Sequence, residues 1–214
     1  MSSLKLKTPG GGSVSFNATD TANDVTLTVP ASNASVLTDS SNIPAANLTG
    51  SLPAGMGGKV LQVLQAVKSD AFSTTSTSLV DVSGLSVSIT PSSTSSKILV
   101  HVDLLLSASY FIGHAQLVRN STLIYRADSA GNRPIDSITF AQNPSNDGIM
   151  QRSSIMYLDS PSTTSATTYK VQASTRKDAA GSGVFYINRT TQDRDTTGYD
   201  ARGVSSITVM EIAG

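Results

Sequence analysis

Apolar and polar residues alternate in several segments of this chain between residue 59 and its end. Between Leu85 and Thr90, for example, Leu, Val and Ile alternate strictly with Ser and Thr. Successive side chains of a β-strand point to opposite faces, so this period of two indicates strands with one apolar face. The pattern predicts strands over residues 60–67, 78–82, 85–90, 98–107, 115–119, 122–126, 135–140, 149–158, 168–173, 183–188 and 205–212.

Clusters of Pro, Gly, Asn and Ser separate these predicted strands, as in 91–93, 130–132, 143–145 and 160–162. Many short strands at this spacing are typical of a β-sandwich or barrel. One segment has two interpretations, because the apolar residues of 60–67 also fit the spacing of a helix. We favour a strand there, since Val is abundant and the surrounding pattern is β.

Two of the predicted strands are apolar on both faces. Residues 98–106 contain seven apolar side chains in nine positions, and Ile155, Met156, Tyr157 and Leu158 are consecutive. An antiparallel strand with one face in water should alternate instead. These strands therefore predict a second covering layer, which is most simply another sheet or another subunit.

Residues 1–58 differ from the rest of the chain. They contain Gly10-Gly11-Gly12 and four prolines, and no charged residue lies between Asp39 and Lys59. The short alternating pieces, such as Val25–Val29, are too small to build a core of their own. We predict an extended, β-rich N-terminal arm over 1–58, which anchors the protein or intertwines with neighbouring chains, and a folded β domain over 59–214.

The composition argues against several classes of function. Charged residues make up 14% of the chain, the formal net charge is +0 and there is no cysteine, so neither a basic nucleic-acid surface nor a disulfide or thiolate site is expected. No apolar run is long enough to span a membrane and the N-terminus does not resemble a signal peptide. We expect synthesis in a cytoplasm, without signal-peptide secretion or membrane insertion.

The residues of common catalytic and metal sites are scarce. The two histidines are His101, which lies within a predicted strand, and His114. There is no Gly-X-Ser-X-Gly nucleophile motif and no HExxH zinc motif. We therefore expect no enzymatic activity, no catalytic or metal-binding residues and no cofactor.

One acidic segment leaves a question open. Asp193, Asp195 and Asp200 lie close together, and Arg194 and Arg202 alternate with them. Calcium prefers such carboxylate oxygens, but the spacing is not that of an EF-hand. The sequence does not decide between a cation site and a charged loop.

Aromatic residues are only 5% of the chain. Tyr110 and Phe111 stand beside a glycine-containing stretch, and Tyr199 stands in the charged segment near Arg202. Exposed aromatic and arginine side chains on loops are typical of binding contacts. These four residues are our candidates for contact with a receptor.

Seven segments carry a family resemblance: residues 11–16, 26–31 and 36–38 in the N-terminal region, and 84–91, 95–100, 157–161 and 205–212 in the C-terminal region. Together they resemble the tail-fibre and virion appendage proteins of marine phages and cyanophages. The resemblance implies a C-terminal jelly-roll β-sandwich knob, similar to tumour necrosis factor and complement globular heads, assembled as a homotrimer.

The same resemblance implies a virion structural protein without catalytic residues or cofactors. We expect a short tail fibre or appendage that contacts other virion proteins through residues 1–58 and a host-surface glycan or protein through its knob. Because the chain has no long shaft, a decoration protein or head fibre on the phage capsid is the alternative.

Overall fold

The structure is a computed structural model that describes residues 3–7, 13–17, 59–109, 111–142, 148–178 and 181–214. All regular structure in these ranges is β, and no helix long and apolar enough to cross a membrane is found there. The strands are Ser3–Lys7 (β1), Ser13–Asn17 (β2), Val60–Lys68 (β3), Phe72–Thr74 (β4), Val80–Ile89 (β5), Lys97–Ala108 (β6), Phe111–Arg119 (β7), Thr122–Ile124 (β8), Ile138–Gln142 (β9), Gln151–Asp159 (β10), Thr167–Thr175 (β11), Lys177–Asp178 (β12), Gly181–Ser182 (β13), Phe185–Ile187 (β14) and Ser205–Ile212 (β15).

The chain divides into two units, residues 1–51 and 52–214. In the first unit, β1 and β2 form an antiparallel pair in which Ser3 lies opposite Asn17. The alternating piece Val25–Val29 lies outside the described residues. The structure describes the second unit from residue 59 onwards. The predicted boundary between residues 58 and 59 therefore stays a prediction.

The second unit contains two larger antiparallel sheets. Sheet 1 has the strand order β3-β15-β6-β10, and β14 and β4 continue it beside the far end of β6. Sheet 2 has the order β5-β11-β7, with β8 and β9 sharing the remaining edge of β7. This all-β architecture of two sheets is consistent with the predicted β-sandwich.

The inner faces of the two sheets share one apolar core. In β6, every second residue from Ile98 to Leu106 is fully buried, whereas Leu99 and Leu105 between them are only partly buried. Sheet 2 contributes residues such as Leu85, Leu117 and Val171 to the same cluster. In β6 burial therefore follows the two-residue period of the strand, although apolar residues occur on both of its faces.

A buried polar network joins the two sheets. The hydroxyl of Tyr169 in β11 donates a hydrogen bond of 2.6 Å to Asp159 in β10, and Arg119 in β7 donates to both carboxylate oxygens at 2.9 and 2.8 Å. Burial, with the adjacent carboxylate, raises the pKa of Tyr169 far above its usual range. The arginine compensates the buried charge of Asp159, as a carboxylate in a core requires.

Two glycines are required by the fold, Gly113 by close packing and Gly84 by its backbone conformation. A Cβ atom on Gly113 would lie 2.0 Å from the ring of Phe185, which packs directly on the backbone of β7. Gly84 has a φ of 82°, where the register between β5 and β11 shifts. This irregularity lies inside one continuous strand, so the two strands predicted over 78–82 and 85–90 form a single strand, β5.

The segment with two interpretations, residues 60–67, is a strand, as we favoured. It pairs with β15 over its full length, so its apolar residues divide between two faces of a sheet. The three-residue strand β4 was not predicted, because Phe72-Ser73-Thr74 is too short to show a period.

Candidate functional site

The outer face of sheet 1 carries a row of apolar side chains that crosses four strands. Val63 of β3 lies opposite Met210 of β15, Met210 opposite Leu99 of β6, and Leu99 opposite Leu158 of β10. Residues paired in this way have neighbouring side chains on the same face of the sheet. We call these four residues the apolar ladder.

The apolar ladder is exposed to solvent at both ends. Val63 and Leu158 keep 53% of their surface accessible, and Met156, next to Leu158 on the same face, keeps 64%. Val60 and Val67 extend the exposed apolar surface along β3. Contiguous apolar surface of this kind is unusual on a soluble monomer and is typical of an interaction site.

A more polar row lies beside the ladder. Gln65 donates a hydrogen bond of 2.8 Å to Thr208, which lies opposite His101, and Met156 follows on the other side of His101. His101 is therefore a residue of the outer face rather than of the core between the sheets.

Charged groups lie near the ends of this outer face. Arg152 pairs with Asp103 at one end, and Lys97 lies opposite Ile212 at the other. The four residues of the ladder itself are uncharged. The centre of the face can therefore be desolvated without burying an ionised group.

Glu211 holds one end of the face in place from the inside. It is 1% exposed, and its carboxylate accepts hydrogen bonds from the backbone amide and hydroxyl of Ser92, both at 2.7 Å, and from Gln62 at 2.6 Å. Burial alone would raise the pKa of Glu211, but these hydrogen bonds outweigh it and lower that pKa to about 2. The ionised carboxylate thus ties β15, β3 and the 90–96 turn together.

The acidic segment 193–202 folds into a loop of arginine–aspartate pairs. Arg202 contacts Asp193 at 2.8 Å, and Arg194 contacts Asp200 at 2.5 Å. The hydrogen bonds from Arg194 and from Thr190 lower the pKa of Asp200. Two of the three aspartates are therefore engaged by arginines, and no group of three possible metal ligands occurs in the described part of the chain.

Two of the four receptor-contact candidates, Tyr199 and Arg202, lie on the same loop. Tyr199 is 71% exposed and shares the acidic loop with Arg202, whose side chain is 57% exposed. The guanidinium of Arg194 lies 5.8 Å from the centre of the Tyr199 ring. Tyr110 lies outside the described residues and Phe111 begins β7, so the grouping of all four stays a prediction.

Sequence reasoning did not single out the residues of the apolar ladder, although it noted the two-faced strands that contain Leu99 and Leu158. We predicted that Val63 lies in a strand but did not assign its side chain to a face of the sheet. Sequence reasoning also missed the pairing of His114 with Asp136. The Nδ1 atom of His114 lies 2.5 Å from the Oδ2 atom of Asp136. No local signal joins two residues that lie 22 positions apart.

Comparison with known proteins gives no family for this chain. No protein-family model matches it, and no curated protein matches it.

Proposed function

We propose that this chain is a structural protein of a bacteriophage virion: a short, homotrimeric tail fibre or appendage whose knob attaches to the host surface. The observation that carries the proposal is the exposed apolar ladder on the outer face of sheet 1. It supports an assembly of several chains, and the resemblance to phage appendage proteins supports the number three and the location.

The strand order supports a jelly roll for residues 59–214. The eight main strands of this domain are, in chain order, β3, β5, β6, β7, β9, β10, β11 and β15. Sheet 1 contains the first, eighth, third and sixth of them, in the order β3-β15-β6-β10. Sheet 2 contains the other four, with β5 next to β11, β11 next to β7, and β9 on the remaining edge of β7. Such an order requires crossings from sheet to sheet, which are typical of two Greek keys.

Further copies of the same chain are the partners that we propose for the apolar face. The ladder is uncharged, so two copies can approach without like-charge repulsion. Val63 lies on one edge strand of the face and Leu158 on the other. A contact between the β10 side of one copy and the β3 side of the next is heterologous, and such contacts form a closed ring when the rotation fits. We propose that the ring closes at three.

Attachment to the host is assigned to the loops of the knob, with residues 1–58 bound to other virion proteins. Tyr199 and Arg202 project from the loop before β15 and are exposed, which supports their role as contact residues. Rigid sheets that present exposed loops are a common arrangement in binding domains.

Two measurements test this proposal. Light scattering of the purified chain at micromolar concentration should give about three times 22.1 kDa, and a monomer would refute assembly through the face. Labelling of whole virions with an antibody against the chain should mark the tail. Label on the capsid shell would replace the tail assignment with a decoration protein, and unlabelled virions would refute the virion role.

A further inference from the structure

The arginines of this protein fall into two groups. The chain has eight, and the structure describes the side chains of all of them. Five form ion pairs with aspartates: Arg119, Arg152, Arg189, Arg194 and Arg202. The other three, Arg126, Arg133 and Arg176, have no acidic partner among the described side chains, and all three line the same cavity.

This cavity lies on the outer side of sheet 2, and we call it the arginine pocket. Its floor includes His114 and Gln116 of β7 and Ser174 of β11, and the 132–136 segment forms a wall. Its volume is about 840 Å³, which is within the range of small-molecule sites. The pocket thus combines a suitable size with three guanidinium groups.

The one carboxylate in the pocket is already fully engaged. Asp136 accepts a hydrogen bond from Gln116 on Oδ1 at 2.6 Å, and its Oδ2 contacts His114 and the Thr139 hydroxyl. The side chains of His114 and Asp136 are only 10% and 9% exposed. Asp136 therefore fixes the wall of the pocket to β7 and has little capacity left for a guanidinium.

Three like charges around one cavity repel each other unless an anion lies between them. The Arg126 side chain has one weak contact, from Nε to the carbonyl oxygen of Ile135 at 3.4 Å. Arg133 and Arg176 form no ion pair with an acidic side chain in the described part of the chain. Guanidinium groups bind carboxylates in a planar, two-bond geometry that gives both affinity and orientation.

The remaining lining favours a sugar as the carrier of that anion. Thr77, Asn132, Ser174 and Thr175 offer hydroxyl and amide groups that can donate to and accept from sugar hydroxyls. The lining has no Phe, Tyr or Trp side chain, so a neutral sugar would lack an aromatic surface on which to stack. Recognition should therefore depend on charge.

We propose that the arginine pocket binds the carboxylate of an acidic sugar, such as a uronic acid in a surface polysaccharide. The anion site rests on the pocket alone. Its assignment to a host glycan rests on the proposed attachment function. The site is separate from Tyr199 and Arg202, which line neither the floor nor the wall of the pocket.

Calorimetry of the purified full chain tests the proposal with digalacturonic acid, neutral digalactose and inorganic phosphate as probes. The acidic disaccharide should bind, the neutral one should bind at least about tenfold more weakly, and affinity should fall as salt is raised. Equal binding of the two disaccharides, or binding of phosphate without binding of digalacturonic acid, would overturn the assignment.

Variants identify the site. Arg133→Gln and Arg176→Gln, which lie on separate segments, should each reduce the affinity about tenfold or more. Lys170→Gln is the matched control, because it removes one positive charge from the same outer side of sheet 2 but from a lysine paired with Asp81. Normal affinity in both arginine variants would overturn the proposal. Because the test uses no virions, its failure leaves the mass and labelling results of the proposed function unaffected.

Discussion

The two sheets of the knob present opposite kinds of surface to the outside. On sheet 2 the outward residues are polar and bonded to each other: Lys170 and Gln172 contact Asp81 at 2.8 and 2.7 Å, and Ser88 bonds to Thr168 at 2.7 Å. On sheet 1 the same positions carry the apolar ladder. Both inner faces are alike, so the outer faces alone distinguish the sheets.

This difference indicates which side of the knob should meet another chain. An antiparallel sheet that faces water normally shows polar residues there, as sheet 2 does. Sheet 1 keeps residues such as Met156 and Leu158 more than half exposed. Covering them removes apolar surface from water at about 25 cal/mol per Å², which is the driving force that we propose for assembly.

The largest effect should come from placing a charge in the apolar ladder. Leu158→Asp should convert the trimer to a 22.1 kDa monomer in light scattering at micromolar concentration, because an unpaired carboxylate buried in a contact costs several kcal/mol. The single chain should stay folded by circular dichroism, since Leu158 is 53% exposed in it.

Ser86→Asp is the matched control for that variant, because it adds the same charge to the outer face of sheet 2, opposite Lys170. It should leave the mass unchanged. A trimeric Leu158→Asp protein would show that the ladder is not the interface.

A change in the shared core should affect both sheets equally. Gly113→Ala should lower the free energy of unfolding by about 3 kcal/mol, as overpacking does in other cores, because the new Cβ would lie 2.0 Å from Phe185. Urea unfolding at fixed chain concentration measures it. The additional change Phe185→Leu should recover part of the loss caused by Gly113→Ala, and full stability of the single variant would contradict the packing described.

The buried carboxylate of sheet 1 should make stability depend on pH. The pKa of Glu211 is about 2 in the folded chain against an ordinary value of 4.5, so its stabilisation is complete above about pH 5 and is lost as the pH falls towards 2. Glu211→Gln should cost on the order of 2 kcal/mol at pH 7 and almost nothing near pH 2, by urea unfolding at each pH.

Asp81→Asn provides the comparison on sheet 2. Hydrogen bonds from Lys170 and Gln172 also lower the pKa of Asp81, but its side chain is 58% exposed, so solvent screens the interaction. The loss of unfolding free energy caused by Asp81→Asn should therefore change much less with pH than the loss caused by Glu211→Gln. If the two losses changed equally with pH, the burial of Glu211 would not explain the stronger pH dependence that we predict for it.

The smallest effect should follow from removing the ion pair on the outer face of sheet 2. Lys170→Gln should change the free energy of unfolding by less than about 0.5 kcal/mol, as exposed pairs usually do, and should leave the mass unchanged. A change in mass would place sheet 2 in the interface as well.

Much of the fold could be predicted from local pattern. The long strands β3, β6, β10 and β15 follow the apolar pattern of the sequence, and in β6 and β15 the inward-facing residues are buried. The ends of the strands and the short strand β4 were harder to predict, because pairing with distant strands fixes them. The exposed positions of Tyr199 and Arg202 agree with their selection as contact candidates, but their function stays a prediction.

The candidate sites were harder to predict than the strands. The sequence shows that residues around Leu99 and Leu158 are apolar, but Val63, Met210, Leu99 and Leu158 become one ladder only through the order β3-β15-β6-β10. The arginine pocket is hidden in the same way, since Arg126, Arg133 and Arg176 are spread over 51 positions of the sequence.

The sequence by itself determined the β class, because a period of two in apolar residues is a property of neighbours along the chain. It also indicated which strands are apolar on both faces. Only the tertiary structure decided which apolar positions stay exposed, which arginines find an aspartate and which do not. Those outcomes depend on strand order and register, which bring together residues that are remote in the chain and on which local sequence has little influence.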